Sequence, residues 1–277
     1  MRIQITTDAE EFRSRVEPFL LRDPLRHTVL TTSIANHATG IDSVGGASKF
    51  LSVHAEDAAV VGAAMRLAGH DLYLGELPRD SVPAVAAALA EVAPDSAGVE
   101  GVVEVATSFA QRWCELLGTG FHQSYTVRLH RLGELRVPYV AGTARPAAES
   151  DVALCRAWTE AMRAELGMPP PGLDEAAIRR RVAAGRWWLW ECDGEPVSLA
   201  AHQVPVHSWS RIGPVYTPPD ARGHGYASAV TASVAKLLRA DGLDVCLFAD
   251  TSNGTANRIY RTIGFHPTHE FVHYTFD

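Results

Sequence analysis

Two rhythms of apolar and polar positions run along this chain, and each switch between them marks a change from strand to helix. Arg2 to Thr6 alternates with period two, as a short strand does. "TTDAEEF" supplies a capping box, Thr7 with Glu10, for a helix to about Leu21. In "RDPLRHTVL" Asp23 stands as N-cap and Pro24 at the first helical position of a helix to about His37. "TGIDSVGG" reads as a loop. Strand-like runs follow at 49–54, 58–67 and 71–77, then an alanine-rich helix at 81–92. A strand at 99–102, a helix at 107–117 and a strand at 122–132 complete the first half.

The second half repeats this grammar. Helices are predicted at 150–166 and 174–184, broken by "GMPPPG", and "DEAAIRRRV" places acids first and bases last, as a helix dipole favours. Strands at 187–192, 196–203 and 208–216 precede a helix at 226–240, which Gly242 is placed to end. A strand at 243–249, a helix at 255–263 and a strand at 270–276 close the chain. Letters match as well as rhythm. "AQRWCELLGTGFH" (110–122) aligns with "ANRIYRTIGFH" (256–266) once Gly118 and Thr119 are taken as an insertion. We read an internal duplication joined near 137–143, where "RVPYVAGTARPA" looks like a linker; the alternative is that helix–Gly–strand junctions simply look alike.

Composition narrows the class. The 277 residues are enough for two domains, and 47% hydrophobic with 21% charged is ordinary for a globular protein. A net charge of -7 argues against a nucleic-acid or anionic-membrane surface, which wants excess Lys and Arg. No run approaches the roughly 18 apolar residues of a membrane span, and the N-terminus has no apolar signal region, so a cytoplasmic location is expected. The four cysteines, Cys114, Cys155, Cys192 and Cys246, form no CxxC pair and read as reduced, mostly buried thiols. Of the twelve histidines, His266, His269 and His273 lie close in sequence, but no HxxxH helix stands beside them and we expect no metal.

The stretch with most chemical content is "VYTPPDARGHGYAS", 215–228. A strand ends on Pro218 and Pro219, which cannot donate ladder hydrogen bonds, so strand pairing is expected to fail there. Gly223 and Gly225 let backbone N–H groups turn toward one point. A helix follows whose first N–H groups are unpaired and partly positive, and Arg222 adds a full charge. That combination is an anion nest suited to a pyrophosphate. No G-x-x-x-x-G-K-[ST] is present, and "GHGYAS" does not satisfy G-x-G-x-x-G.

"RGHGYA" resembles the R/Q-x-x-G-x-G/A loop of the Gcn5-related N-acetyltransferases (GNAT), and "NGTANRIYRTIGF" (253–265) resembles that family's second motif of Asn, Ala, Tyr and Gly-Phe. The resemblance spans about 208–276. It implies an α/β (α+β) protein of two tandem acyl-CoA N-acyltransferase folds, each a mixed, mostly antiparallel sheet flanked by helices. Residues 1–137 would be a degenerate copy, because "LGELPRDSVPAVAAAL" has no glycine pair and Cys114 stands where Tyr260 does; residues 138–277 would be catalytic. The implied cosubstrate is acetyl-CoA or another acyl-CoA. Its contacts would come from Val215, Tyr216 and Thr217 on the strand, where backbone pairs with the pantetheine arm. Arg222, Gly223, His224, Gly225, Tyr226, Ala227 and Ser228 would hold the pyrophosphate, and Asn253 or Asn257 would reach in from the next helix.

Tyr260 would donate a proton to the departing CoA thiolate; the plainer reading is an apolar helix face of Tyr260, Ile259 and Ile263. Many family members carry a Glu on the strand before the loop, whereas "SWSRIGPVY" has no carboxylate. Base candidates are Glu191, His202, His207 or a water chain. Trp187, Trp188, Trp190 and Trp209 are core or line an acceptor pocket. The function implied is acyl transfer to the amine of a small molecule, the alternative being a non-catalytic acyl-CoA-binding or sensing module.

Overall fold

The computed structural model describes residues 1–38, 47–168 and 172–277. The loop read at 39–46 and the prolines of "GMPPPG" lie outside the described residues. The first half gives β1 (Arg2–Thr6), α1 (Ala9–Leu20), α2 (Thr28–Ala38), β2 (Lys49–His54), β3 (Val60–Arg66), β4 (Leu72–Leu74), α3 (Val82–Val92), β5 (Gly98–Val102), α4 (Val103–Leu117) and β6 (Phe121–Leu132). The second gives β7 (Thr143–Pro146), α5 (Val152–Glu165), α6 (Glu175–Ala183), β8 (Trp187–Cys192), β9 (Glu195–His202), β10 (Trp209–Tyr216), α7 (Tyr226–Ala240), β11 (Asp244–Asp250), α8 (Gly254–Thr262) and β12 (Phe265–Phe276). Among the described residues the order strand, two helices, three strands, helix, strand, helix, strand occurs in each half.

Local chemistry accounts for most boundaries. Asp8 caps α1, its carboxylate accepting from the N–H groups of Glu10 and Glu11, so the cap is Asp8 and not Thr7. Asp23 does bind the N–H of Arg26 at 3.0 Å, but Pro24 to His27 form a turn and the regular helix begins at Thr28. Asp174 caps α6 through the Ala177 N–H at 2.6 Å. The segment read as a linker contains a strand: Thr143 to Pro146 pair antiparallel with Glu191 to Trp188. Its few residues and its proline hid the alternation that marks longer strands. Similarly, β12 begins at Phe265 and not Glu270, because the polar run "HPTH" interrupts the apolar pattern on an exposed stretch of strand.

The chain divides into two compact units, one of residues 1–129, 249–252 and 268–277, the other of 130–248 and 253–267. In the first, the sheet order is β1-β2-β3-β4-β5-β12-β6, and β4 and β5 are a parallel pair amid antiparallel ones. One face buries Leu51, Val53, Leu72, Val99 and Val272 against Val85, Leu89, Phe109 and Trp113 of α3 and α4. In the second unit the order is β11-β10-β9-β8-β7, with only the β10–β11 pairing parallel among the described registers. Here Trp187, Leu189, Leu199 and Ala201 pack with Cys155, Ile178 and Val182 of α5 and α6. Helix α7 buries Ala229, Val230, Val234 and Leu238 and packs against β8, β9 and β10.

Among the described residues no helix is long and apolar enough to cross a membrane, and no group of three or more His, Cys, Asp and Glu is placed to hold a metal ion. All four cysteines are free thiols.

Candidate functional site

The site is built where β10 ends and α7 begins. β10 pairs with β11 from Trp209↔Asp244 to Ile212↔Leu247, and the ladder stops there. On its other edge β10 shifts register between Ile212 and Val215, then continues beside β9 through Val215↔Ala200 and Tyr216↔Leu199. Val215 and its neighbours therefore keep one partner strand and, among the described residues, present the β11-side edge without a ladder bond. Ser198 on β9 steadies the strand end, donating to the Tyr216 carbonyl at 3.1 Å and sharing a hydrogen bond of 2.8 Å with the Thr217 hydroxyl.

Beyond the strand, Pro219 to Ala221 make one short turn of helix, and the Arg222 N–H is used on Pro219 O. Gly223 and Gly225 have φ of +85° and +83°, the left-handed region that favours glycine. A Cβ at Gly225 would also lie 3.2 Å from a Val140 methyl. Gly225 is the N-cap of α7 and carries no capping side chain. As a result, among the described residues, the N–H groups of Gly223 to Ser228 donate to no acceptor, with Ala229 making the first bond of the helix, to Gly225 O. Uncapped donors, a positive dipole end and left-handed glycines together are chemically suited to a negatively charged group.

Arg222 sits elsewhere than expected. Its guanidinium grips both oxygens of Glu165, at 2.8 and 2.7 Å, and donates to Thr217 O at 2.9 Å. The Tyr216 hydroxyl donates to the same Glu165 carboxylate at 2.9 Å, and the Arg222 cation stands 5.8 Å from the centre of the Tyr216 ring. These donors, Arg222 first and Tyr216 second, hold the Glu165 carboxyl below the usual range. Sequence reasoning missed Glu165 altogether, since the last residue of an amphipathic helix carries no periodic signal.

Helix α8 carries the remaining expected residues. Asn253 spends its side-chain oxygen capping α8, through the Ala256 N–H at 2.9 Å, and the Asn257 amide donates to Asn253 O at 2.8 Å. Tyr260 is buried, edge-on to Phe265 with centroids 6.1 Å apart. Burial pushes its phenol up to about 12. Of the base candidates, Glu191 and His202 are engaged. Glu191 accepts from Arg145 at 2.6 Å, and Arg145 also holds Asp151 at 2.7 Å. His202 is tied to Gln203 O at 3.0 Å, and burial lowers its pKa. His207 lies in the turn before β10 at φ +50°. Of the tryptophans, Trp187 and Trp190 are buried, and Trp190 donates to Ala141 O at 2.9 Å; Trp188 and Trp209 are partly exposed.

In sequence, the FR47-like protein family model matches residues 191–273, a span that contains β10, the glycine loop, α7, β11 and α8. No curated protein matches the chain. Solved structures with the same fold cover it nearly end to end. A GCN5-related N-acetyltransferase from Sphaerobacter thermophilus superposes with a TM-score of 0.64 at 17% identity, covering 98% of this chain and 94% of its own. An acetyltransferase of the GNAT family from Colwellia psychrerythraea gives 0.61 at 12%, covering 100% of both. A tandem GNAT protein from the clavulanic acid biosynthesis pathway gives 0.59 at 14%, covering 99% of this chain and 98% of its own. At these identities the likeness is one of fold.

Proposed function

We propose, on the premise of a GNAT fold, that the protein is an acyl-CoA-dependent N-acetyltransferase whose acceptor is the amine of a small molecule. The observation that carries the reading is the run of unpaired N–H groups from Gly223 to Ser228, placed directly after a strand whose ladder has stopped on one side. Those donors suit the pyrophosphate of CoA, and the free edge at Val215 to Thr217 suits the amides of its pantetheine arm, paired as an added strand would be. The thioester supplies an activated acyl carbon. Attack by the amine forms the C–N bond and breaks C–S, and Tyr260, a neutral phenol at physiological pH, gives its proton to the leaving sulfur. With Glu191 and His202 engaged, proton removal from the amine falls to water in this reading. The repeated element order supports a tandem arrangement in which the second half holds the donor.

The test has two stages. Acetyl-CoA at a hundred times its dissociation constant should stabilise the protein by roughly 2.7 kcal/mol; no stabilisation by any acyl-CoA ends this reading. Thiol release across a panel of amines then separates an enzyme from an acyl-CoA sensor, which would bind and release nothing. Tyr260→Phe should lower kcat by about 10²-fold or more while leaving the Kd for CoA near its original value. An unchanged kcat would remove Tyr260 from the chemistry.

A further inference from the structure

The segment between β6 and β7 is fixed at both ends. Gly133 and Arg136 donate backbone bonds to Gly264 O and Ile263 O, at 2.9 and 3.1 Å, and Ala141 O accepts from the Trp190 indole at 2.9 Å. In between, it passes over the glycine loop: the Val140 methyl stands 3.2 Å from where a Gly225 Cβ would be. Beside Val140 is Tyr139, whose relative exposure is 105%, the highest of the large apolar side chains. Among the described residues it has neither a ring partner nor a hydrogen-bond partner. A phenol ring this exposed contributes no packing to the fold, and its face is open to a ligand. The aromatics nearest in sequence to the loop are occupied, His224 and Tyr226 being stacked on each other at 5.4 Å. Arg136 is likewise exposed and, among the described residues, has no carboxylate partner, in a chain of net charge -7.

Resting on the donor site proposed above, we infer that Tyr139 and Arg136 form the adenosine subsite of the CoA cosubstrate. One residue of chain spans about 3.5 Å, so the ring of Tyr139 lies within a nucleoside's reach of a pyrophosphate held at Gly225 and α7. The adenine stacks on the exposed phenol face, a contact that needs no base-specific hydrogen bond. Arg136, a few residues back along the same anchored segment, pairs with the 3′-phosphate that distinguishes CoA from its dephospho form. This explains why the loop's own arginine can be given to Glu165: the mobile end of the ligand is read from the preceding segment, and Arg222 serves to brace the strand end.

Isothermal titration of the full-length protein with CoA, 3′-dephospho-CoA and 4′-phosphopantetheine tests this. Tyr139→Ala should weaken CoA about tenfold, the order expected for one lost base–aromatic stack. It should leave 4′-phosphopantetheine, which has no adenine, unchanged, and Tyr139→Trp should restore CoA binding. Arg136→Ala should weaken CoA and leave 3′-dephospho-CoA unchanged. Both side chains are exposed, so equal melting temperatures are expected and exclude an effect through folding. CoA binding by either alanine variant at the original affinity, or an equal loss on the truncated ligands, overturns the subsite. A wild-type protein that binds no CoA would instead overturn the donor site itself.

Discussion

One buried histidine ties the stability of the first unit to pH. His27 is 1% exposed, packed 5.0 Å from the Phe19 ring, and neither of its ring nitrogens has a hydrogen-bond partner among the described residues. Glu76 comes within 3.8 Å, yet burial, aided by Arg26, wins and lowers the His27 pKa to about 4. The unfolded chain titrates near 6.5, so between pH 6.5 and about 4 it binds a proton that the folded form refuses. Stability is therefore full above pH 6.5 and falls as pH drops toward 4, by at most about 3.5 kcal/mol at roughly 1.4 kcal/mol per unit. Urea titrations of wild type and His27→Phe between pH 7 and 4 check the sign. The variant should lose less stability over that window, and parallel curves would refute the assignment. Tyr260 is a different case: its phenol is neutral at pH 7 whether folded or unfolded, so its burial adds no pH dependence there.

The loop and helix at 219–240 show what can be read from letters at the level of an element and what cannot. Two glycines before an alanine-rich helix were enough to locate the left-handed turn and the start of α7, because left-handed backbone and an uncapped helix end are properties of those residues themselves. The partner of Arg222 was not legible, since Glu165 reaches it across 57 positions of sequence. Nor was β7, four residues long and ending in proline, or the approach of Val140 to Gly225. Contacts made by folding distant segments together leave no local period to detect. Gly225→Val tests the element directly. A β-branched residue is strained at φ +83° and would press on the Val140 methyl, so the loop must open and its N–H groups diverge. Calorimetry should show acetyl-CoA binding lost, with stability lowered by roughly 1–3 kcal/mol; binding at wild-type affinity would mean that the pyrophosphate is held elsewhere.

At the scale of the molecule, the last strand matters more than its place at the end of the chain suggests. β12 begins in the second unit at Phe265 and, from Thr268 on, belongs to the first. There Phe271 to Thr275 complete the ladder of β5, in register from Val102 to Gly98. Val272 and Tyr274 enter the core shared with α3 and α4, the Tyr274 hydroxyl lies 2.8 Å from that of Thr107, and His273 pairs with Asp71 at 2.9 Å. Each fully buried apolar side chain contributes about 1.5–3 kcal/mol, so losing Phe271, Val272 and Tyr274 removes on the order of 5 kcal/mol, comparable to the whole stability of a typical domain. The ladder bonds on that side of β5 would go with them. A chain ending at Pro267 should therefore keep protected amides in β8, β9 and α7 while those of β5, α3 and α4 exchange freely, as read by hydrogen–deuterium exchange. The peptide 268–277 added in trans should slow that exchange again. Full protection of β5 in the shortened chain would show that the first unit closes its core without the strand, and that the halves are more self-contained than the pairing of β5 with β12 requires.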